Sequence, residues 1–174
     1  FGEFLILEIR ARGIETGEIH VTRTKNTGIG FVRLAEDGER DFLAYRDYEA
    51  PVGLWGPGGK AAVSACRIFH FTSVSLVGRE QRRDTLRAAA FAKREGKIVS
   101  FDVNYREAMW GDKDEARELF WSCIGTADIV KLSEQERDFL CVGAGNRTCA
   151  ERISGGSGKL VLISLGAEGS YFHC

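Results

Sequence analysis

From residue 67 onward, apolar β-rich runs alternate with helical patterns, and this alternation restricts the fold more than any other feature of the chain. "RIFHFTSVSL" reads as a strand, and "EQRRDTLRAAAFAKREG" as a helix stopped by Gly96. "KIVSFDV" is the next strand, followed by the helix "DKDEARELFWSCIG" with acids in its first turn. "ADIVKLS" gives a third strand, and "SEQERDFL" a short helix in which Ser133 and Glu136 have capping-box spacing. A further helix around 148–154 leads to the strand "KLVLISLG". Strands separated by helices imply right-handed crossovers and a parallel sheet. The fold class is therefore α/β, with a parallel core over 67–174.

The region before residue 67 is different. "FGEFLILEIRARG" opens at once with a helical apolar pattern (Phe1, Phe4, Leu5, Leu7, Ile9) and no capping residue before it. "GIGFVRLAEDGERDFLAYR" places two β-rich runs around Asp37-Gly38, a hairpin over 28–46. On its second run Phe42 and Ala44 alternate with Leu43 and Tyr45, so both faces carry apolar surface. "APVGLWGPGGK" (50–60) holds both prolines and reads as a loop. The uncapped start, and a second strand only beginning after "KLVLISLG", make the chain read as incomplete at both ends.

Charge narrows the choice of partners. The 24 basic residues nearly cancel the 25 acidic ones, which gives no electrostatic footprint for nucleic acid or a membrane surface. No apolar run approaches the ~18 residues needed to span a bilayer. The five cysteines are odd in number and lack C-x-x-C spacing, so they read as reduced thiols of a cytoplasmic protein.

In an open parallel sheet, ligands bind beyond the carboxyl ends of the strands. Those ends carry Ser73 and Ser75, then Asp102, Asn104 and Arg106, then Lys131, Ser133 and Glu136, then Gly166 and Gly169. A guanidinium suits planar binding of phosphate or carboxylate, and glycines let backbone approach a ligand closely. Together these groups suggest a cleft for a nucleotide and its co-substrate. Each also has an ordinary structural reading. Ser133 with Glu136 can be only a helix cap, and Arg106 can pair with Asp102 or Glu107. Trp110 suits a core plug better than a stacking platform, and His70 a hydrogen-bonded core position. "GGSGKL" (155–160) looks like a phosphate-binding loop but has Ile153 and Leu160 where glycine and a hydroxyl residue are required.

In order and spacing, "FHFTSVSL", "SFDVNYREAMW", "ADIVKLSEQERDFL" and "LVLISLGAEGSYF" resemble successive core segments of PfkB-type (ribokinase-like) carbohydrate kinases. The nearest members are bacterial fructokinases and 2-keto-3-deoxygluconate kinases. The resemblance runs along the whole of 1–174 as the central portion of such a kinase domain. It implies a ribokinase-like, doubly wound, mostly parallel sheet flanked by helices, with 28–46 as a β-hairpin lid. It further implies ATP-dependent phosphorylation of a small sugar, with ATP and Mg²⁺ as cofactors, and it allows a homodimer through the lid.

Carried over by position, Asn104, Arg106, Ser133 and the segment Ser164, Leu165, Gly166, Ala167, Glu168 and Gly169 line the ATP side. Tyr45, Arg46 and Arg106 meet the sugar, and Arg106 is also placed to stabilise the transferring phosphate. Glu136 helps to hold Mg²⁺ indirectly, through water. The family's catalytic Gly-Ala-Gly-Asp stretch has no counterpart, since "CVGAGNRT" (141–148) continues with Asn146. The resemblance thus implies that this chain alone is inactive as a kinase. A non-catalytic nucleotide- or sugar-binding remnant is the rival reading from another class.

Overall fold

The computed structural model describes residues 1–34, 40–45 and 55–174. It divides into two compact units, Phe1–Val52 and Gly53–Cys174. In the first, helix α1 (Gly2–Ala11) buries none of its residues and begins without a side-chain cap. Strands β1 (Ile29–Leu34) and β2 (Arg40–Tyr45) pair antiparallel, from Ile29 opposite Tyr45 to Leu34 opposite Arg40. The proposed turn at Asp37-Gly38 lies outside the described residues, as does Arg46.

The second unit holds α2 (Pro57–Ala65), β3 (Ile68–Thr72), α3 (Arg79–Arg94), β4 (Ile98–Asp102), α4 (Lys113–Thr126) and β5 (Ile129–Ser133). It continues through α5 (Glu134–Leu140), α6 (Asn146–Ser154), β6 (Leu160–Ser164) and β7 (Ser170–His173). The strands form one sheet in the order β3-β4-β5-β6-β7. The first four are parallel, and β7 returns antiparallel to β6. This is the mostly parallel, helix-flanked sheet that the alternation implies.

Strands that follow one another across a sheet by right-handed crossovers all send their helices to the same side. The burial pattern agrees. Phe71, Val99, Phe101, Val130, Leu132, Val161 and Ile163 form one core with Ala89 and Ala92 of α3, Phe120 and Ile124 of α4, and Ile153 of α6. Their sequence neighbours point the other way, and Ile68 and Ile98 remain 50% and 43% exposed.

Three local readings are corrected. Residues 57–65 are helix, not loop. Pro57 occupies the first helical turn, where its fixed φ and missing N–H cost nothing, and Lys60-Ala61-Ala62 carry the helix on. "SVSL" leaves the strand and forms a 3-10 turn over Ser73–Leu76, fastened by the Ser75 hydroxyl donating to the Thr72 carbonyl at 2.8 Å. His70 is hydrogen-bonded, Nδ1 to the Ser100 hydroxyl at 3.0 Å, but it is exposed and not in the core. The period-2 strand sends Phe69 and Phe71 to the helix-packed side and His70 to the opposite one.

At the amino edge of the sheet, Asp128 ties three strands together. Its N–H donates to the Val99 carbonyl at 2.8 Å, its carboxylate accepts the Val99 N–H at 2.9 Å, and its carbonyl accepts the Leu160 N–H at 2.9 Å. Burial alone would raise the Asp128 carboxyl, but the Lys93 ammonium and the Val99 N–H outweigh it and hold the carboxyl below its ordinary value. A group lowered in the folded state stabilises above its unfolded pKa, about 3.9, and loses that contribution as pH falls through the folded value. Asp128→Asn is therefore expected to be less stable than the parent chain at pH 7, with the gap closing towards pH 3. Urea denaturation at the two pH values checks this, and a gap of equal size at both would count against the carboxylate.

Candidate functional site

The segment that follows β4 is held by hydrogen bonds from three directions. The Asn104 N–H donates to Asp102 Oδ1 at 3.2 Å, and the Asn104 carbonyl accepts from the Ser73 hydroxyl at 3.0 Å. The next N–H, of Tyr105, donates to Glu136 Oε1 at 2.8 Å. So fastened, Asn104 takes a φ of 35°, the one left-handed value at a non-glycine residue among the described positions. Asn tolerates that region better than most residues, and departures of this kind cluster at functional sites. Asn104→Gly should leave stability almost unchanged, whereas Asn104→Ala should cost about 1 kcal/mol. Comparing their denaturation midpoints separates the backbone requirement at this position from any use of the amide.

Glu136 joins this segment to β5. Its second oxygen accepts the Ser133 N–H at 2.7 Å, while the Ser133 hydroxyl accepts the Glu136 N–H at 3.3 Å, which completes the capping box. Glu136 is 5% exposed, and each of its oxygens is engaged by a backbone donor. The carboxylate that caps α5 thus also fixes Tyr105 across the cleft.

That cleft measures about 370 Å³ and is lined by Tyr105, Arg106, Glu107, Ser133, Gln135, Glu136 and Phe139. Tyr105 stacks on Phe139 with centroids 4.2 Å apart, and the Arg117 guanidinium lies 4.8 Å from the Phe139 ring centre. Burial raises the Tyr105 phenol above its ordinary pKa, with Glu107 adding to the effect, so the phenol stays neutral at physiological pH. Sequence reading passed over Tyr105 and Phe139. The signal for Tyr105 was its place between Asn104 and Arg106; nothing in the sequence marks Phe139.

The acids that could have neutralised Arg106 are taken by other partners. Asp102 pairs with Lys131 at 3.3 Å, and Glu107 with Lys113 at 2.6 Å. Arg106 itself is exposed, and among the described residues it donates only to its neighbour's carbonyl, Tyr105 O, at 3.3 Å. It forms no ion pair among the described residues. An uncompensated guanidinium beside a hydroxyl and an aromatic pair is suited to binding an anionic ligand that carries a planar group.

Arg106, Ser133 and Glu136 therefore share one cleft. Asn104 is adjacent in the chain but does not line it. The segment from Ser164 to Gly169 lies at the same carboxyl edge, since Ser164 is in register with Ser133. It too is outside the lining of the 370 Å³ cleft. There it closes the β6–β7 hairpin, with the Leu165 N–H donating to the Gly169 carbonyl at 2.8 Å. Gly169, at φ 97° and ψ −129°, occupies a conformation open essentially to glycine alone. Tyr45 belongs to the first unit and is 77% exposed. Trp110 meets Phe120 edge-on at 5.2 Å beneath the Arg82 guanidinium, which makes it part of the packing. The "GGSGKL" stretch joins the end of α6 to the start of β6, the reverse of the strand-to-helix order a phosphate-binding loop requires.

Comparison with known proteins adds context to this geometry. Residues 1–173 match the pfkB family carbohydrate kinase model. Fructokinase-1 of Zea mays is 33% identical over 175 residues, which cover 99% of this chain and 54% of that protein. The crystal structure of fructokinase with bound ATP from Xylella fastidiosa matches with a TM-score of 0.82 at 31% identity, over 99% of this chain and 54% of that one. A fructokinase from Vibrio cholerae O395, in a form with fructose, ADP and calcium ion bound, matches with a TM-score of 0.81 at 26% identity, over 99% and 56%. The chain spans about half the length of the curated relatives it matches. No helix among the described residues is long and apolar enough to cross a membrane.

Proposed function

The chain belongs to the pfkB family of carbohydrate kinases, and from that premise we propose that the protein carrying it is an ATP-dependent sugar kinase of fructokinase type. The observation that carries this reading is Arg106, a guanidinium with no carboxylate partner among the described residues, in one cleft with Ser133 at the carboxyl edge of the sheet. On this reading the cleft receives the phosphates of ATP, with Asn104 and the 164–169 turn completing the nucleotide side. Phosphoryl transfer of this class rests on positioning and on neutralising spread negative charge, to which a bound Mg²⁺ would contribute. Glu136, both of whose oxygens already accept backbone N–H groups, would help to hold Mg²⁺ through water. The Gly-Ala-Gly-Asp stretch that supplies the family's base is not among these 174 residues, so the chain contributes binding and charge stabilisation.

We read the β1–β2 pair as the lid, with Tyr45 and Arg46 as its sugar-contacting residues. Strand β1 leaves Phe31 exposed on one face at 58% and Val32 and Leu34 on the other at 57% and 67%, and through this apolar area a homodimer would pair. The test is an assay of ADP release by the protein containing the rest of the family domain, with fructose and with 2-keto-3-deoxygluconate. Turnover of fructose supports the fructokinase reading, preference for the sugar acid redirects it, and no turnover of either sugar overturns it. Within that enzyme Arg46→Ala should raise the KM for sugar several-fold more than the KM for ATP. Equal changes in both would mark a general loss of structure.

A further inference from the structure

Cys141 and Cys149 place their sulfurs 2.7 Å apart inside the second unit, and neither is exposed to solvent. A disulfide bond is about 2.05 Å long, so closing this one asks for little movement of either residue. Cys141 ends α5, and Cys149 sits in the first turns of α6, eight positions on. The connection between them reaches the surface, where Val142 is 83% exposed and Gly143 turns the chain at φ 73°.

We propose that Cys141 and Cys149 are a redox modification site, a dithiol that a small hydroperoxide converts to an intramolecular disulfide fastening α5 to α6. The two sulfurs have different roles. The Cys149 thiol donates to Cys141 Sγ, and that hydrogen bond, reinforced by the Arg152 cation, lowers the Cys141 thiol while the same bond and burial raise Cys149. Cys141 is thus the nucleophile. Its thiolate attacks one peroxide oxygen, the O–O bond breaks, and the departing hydroxide takes a proton to leave as water, giving a sulfenic acid at Cys141. Cys149 Sγ then attacks Cys141 Sγ and displaces the hydroxyl group, which leaves as water with the Cys149 thiol proton. Two thiols are oxidised and one peroxide is reduced to two waters. An uncharged oxidant of this size suits a buried pair better than a bulky disulfide does. By contrast, burial pushes the Cys123 thiol up to about 12, and no other thiol is hydrogen-bonded to it among the described residues.

The native chain, carrying Cys174→Ser to remove the exposed thiol, is treated with hydrogen peroxide, quenched, denatured and alkylated, and its mass is measured. The expected product has lost two hydrogens and gained no oxygen. Trypsin should release the peptides 138–147 and 148–152 joined by a bond that dithiothreitol cleaves. The oxidised chain should melt higher by roughly 5 °C, and the reductant should reverse the shift. In Cys149→Ser the second step is blocked, and Cys141 should be captured by dimedone as the sulfenic acid. If that variant does not fold, the peptide map of the parent decides alone. Alkyl label on both Cys141 and Cys149, oxygen added at either, or a disulfide to Cys66 or Cys123 would each overturn the proposal.

Discussion

Replacing Phe120 by alanine is expected to lower the unfolding free energy of the chain by about 3–5 kcal/mol. Phe120 is fully buried at the centre of the aromatic cluster, 5.8 Å from Tyr105, 5.2 Å from Trp110, 6.1 Å from Phe139 and 6.2 Å from Phe101. Truncation removes the transfer energy of the ring and leaves a cavity that four rigid rings cannot close. Set against a typical total of about 5–15 kcal/mol, that loss is enough to populate the unfolded state near physiological temperature. Phe120→Leu keeps most of the volume and should cost appreciably less. Urea denaturation of the three chains gives the comparison. An alanine variant within 1 kcal/mol of the parent, where a buried-ring loss is put at about 3–5, would show that the cluster does not support the cleft.

On the proposed function, Arg106→Ala should reduce kcat/KM of the protein containing the rest of the family domain by about 10²-fold, the scale seen when one preorganised charge-stabilising donor is removed. Stability should hardly change, because Arg106 is exposed and its one hydrogen bond among the described residues is to the adjacent carbonyl. Arg106→Lys should recover only part of the loss, since an ammonium keeps the charge without the planar fork. Steady-state kinetics with varied ATP and varied fructose separates the outcomes. Unchanged kcat/KM in the alanine variant would remove Arg106 from the site and leave the cleft without its cation.

The parallel sheet was legible because each strand is a short apolar run bounded by a helix with its own start or stop signal. Gly96 ends α3 and Ser133 opens α5, much as their residue types require. What the sequence left hidden was partnership. Arg106 lies four positions after Asp102 and directly before Glu107, and only the fold shows both carboxylates turned to lysines. Pro57 lies in a glycine-rich stretch that reads as loop, yet at the first turn of a helix its rigidity favours the helix. His70 reads as a core position because it stands between two phenylalanines, and period-2 geometry puts it on the side of the sheet opposite to theirs. Cys141 and Cys149 lack any recognised spacing, and their contact depends on how α5 and α6 dock.

The Glu136 carboxylate also has a meaning for how the fold assembles. One of its oxygens answers a donor three residues away, a contact available to a nascent helix as soon as its first turn closes. The other answers Tyr105, 31 residues earlier, and must wait until β4 and β5 lie side by side. The short-range half can nucleate, whereas the long-range half registers that the sheet is in place. The walls of the cleft are thus joined by a contact that needs the β4–β5 pairing in place, and a molecule in which only local structure has formed would have a capped helix and no pocket.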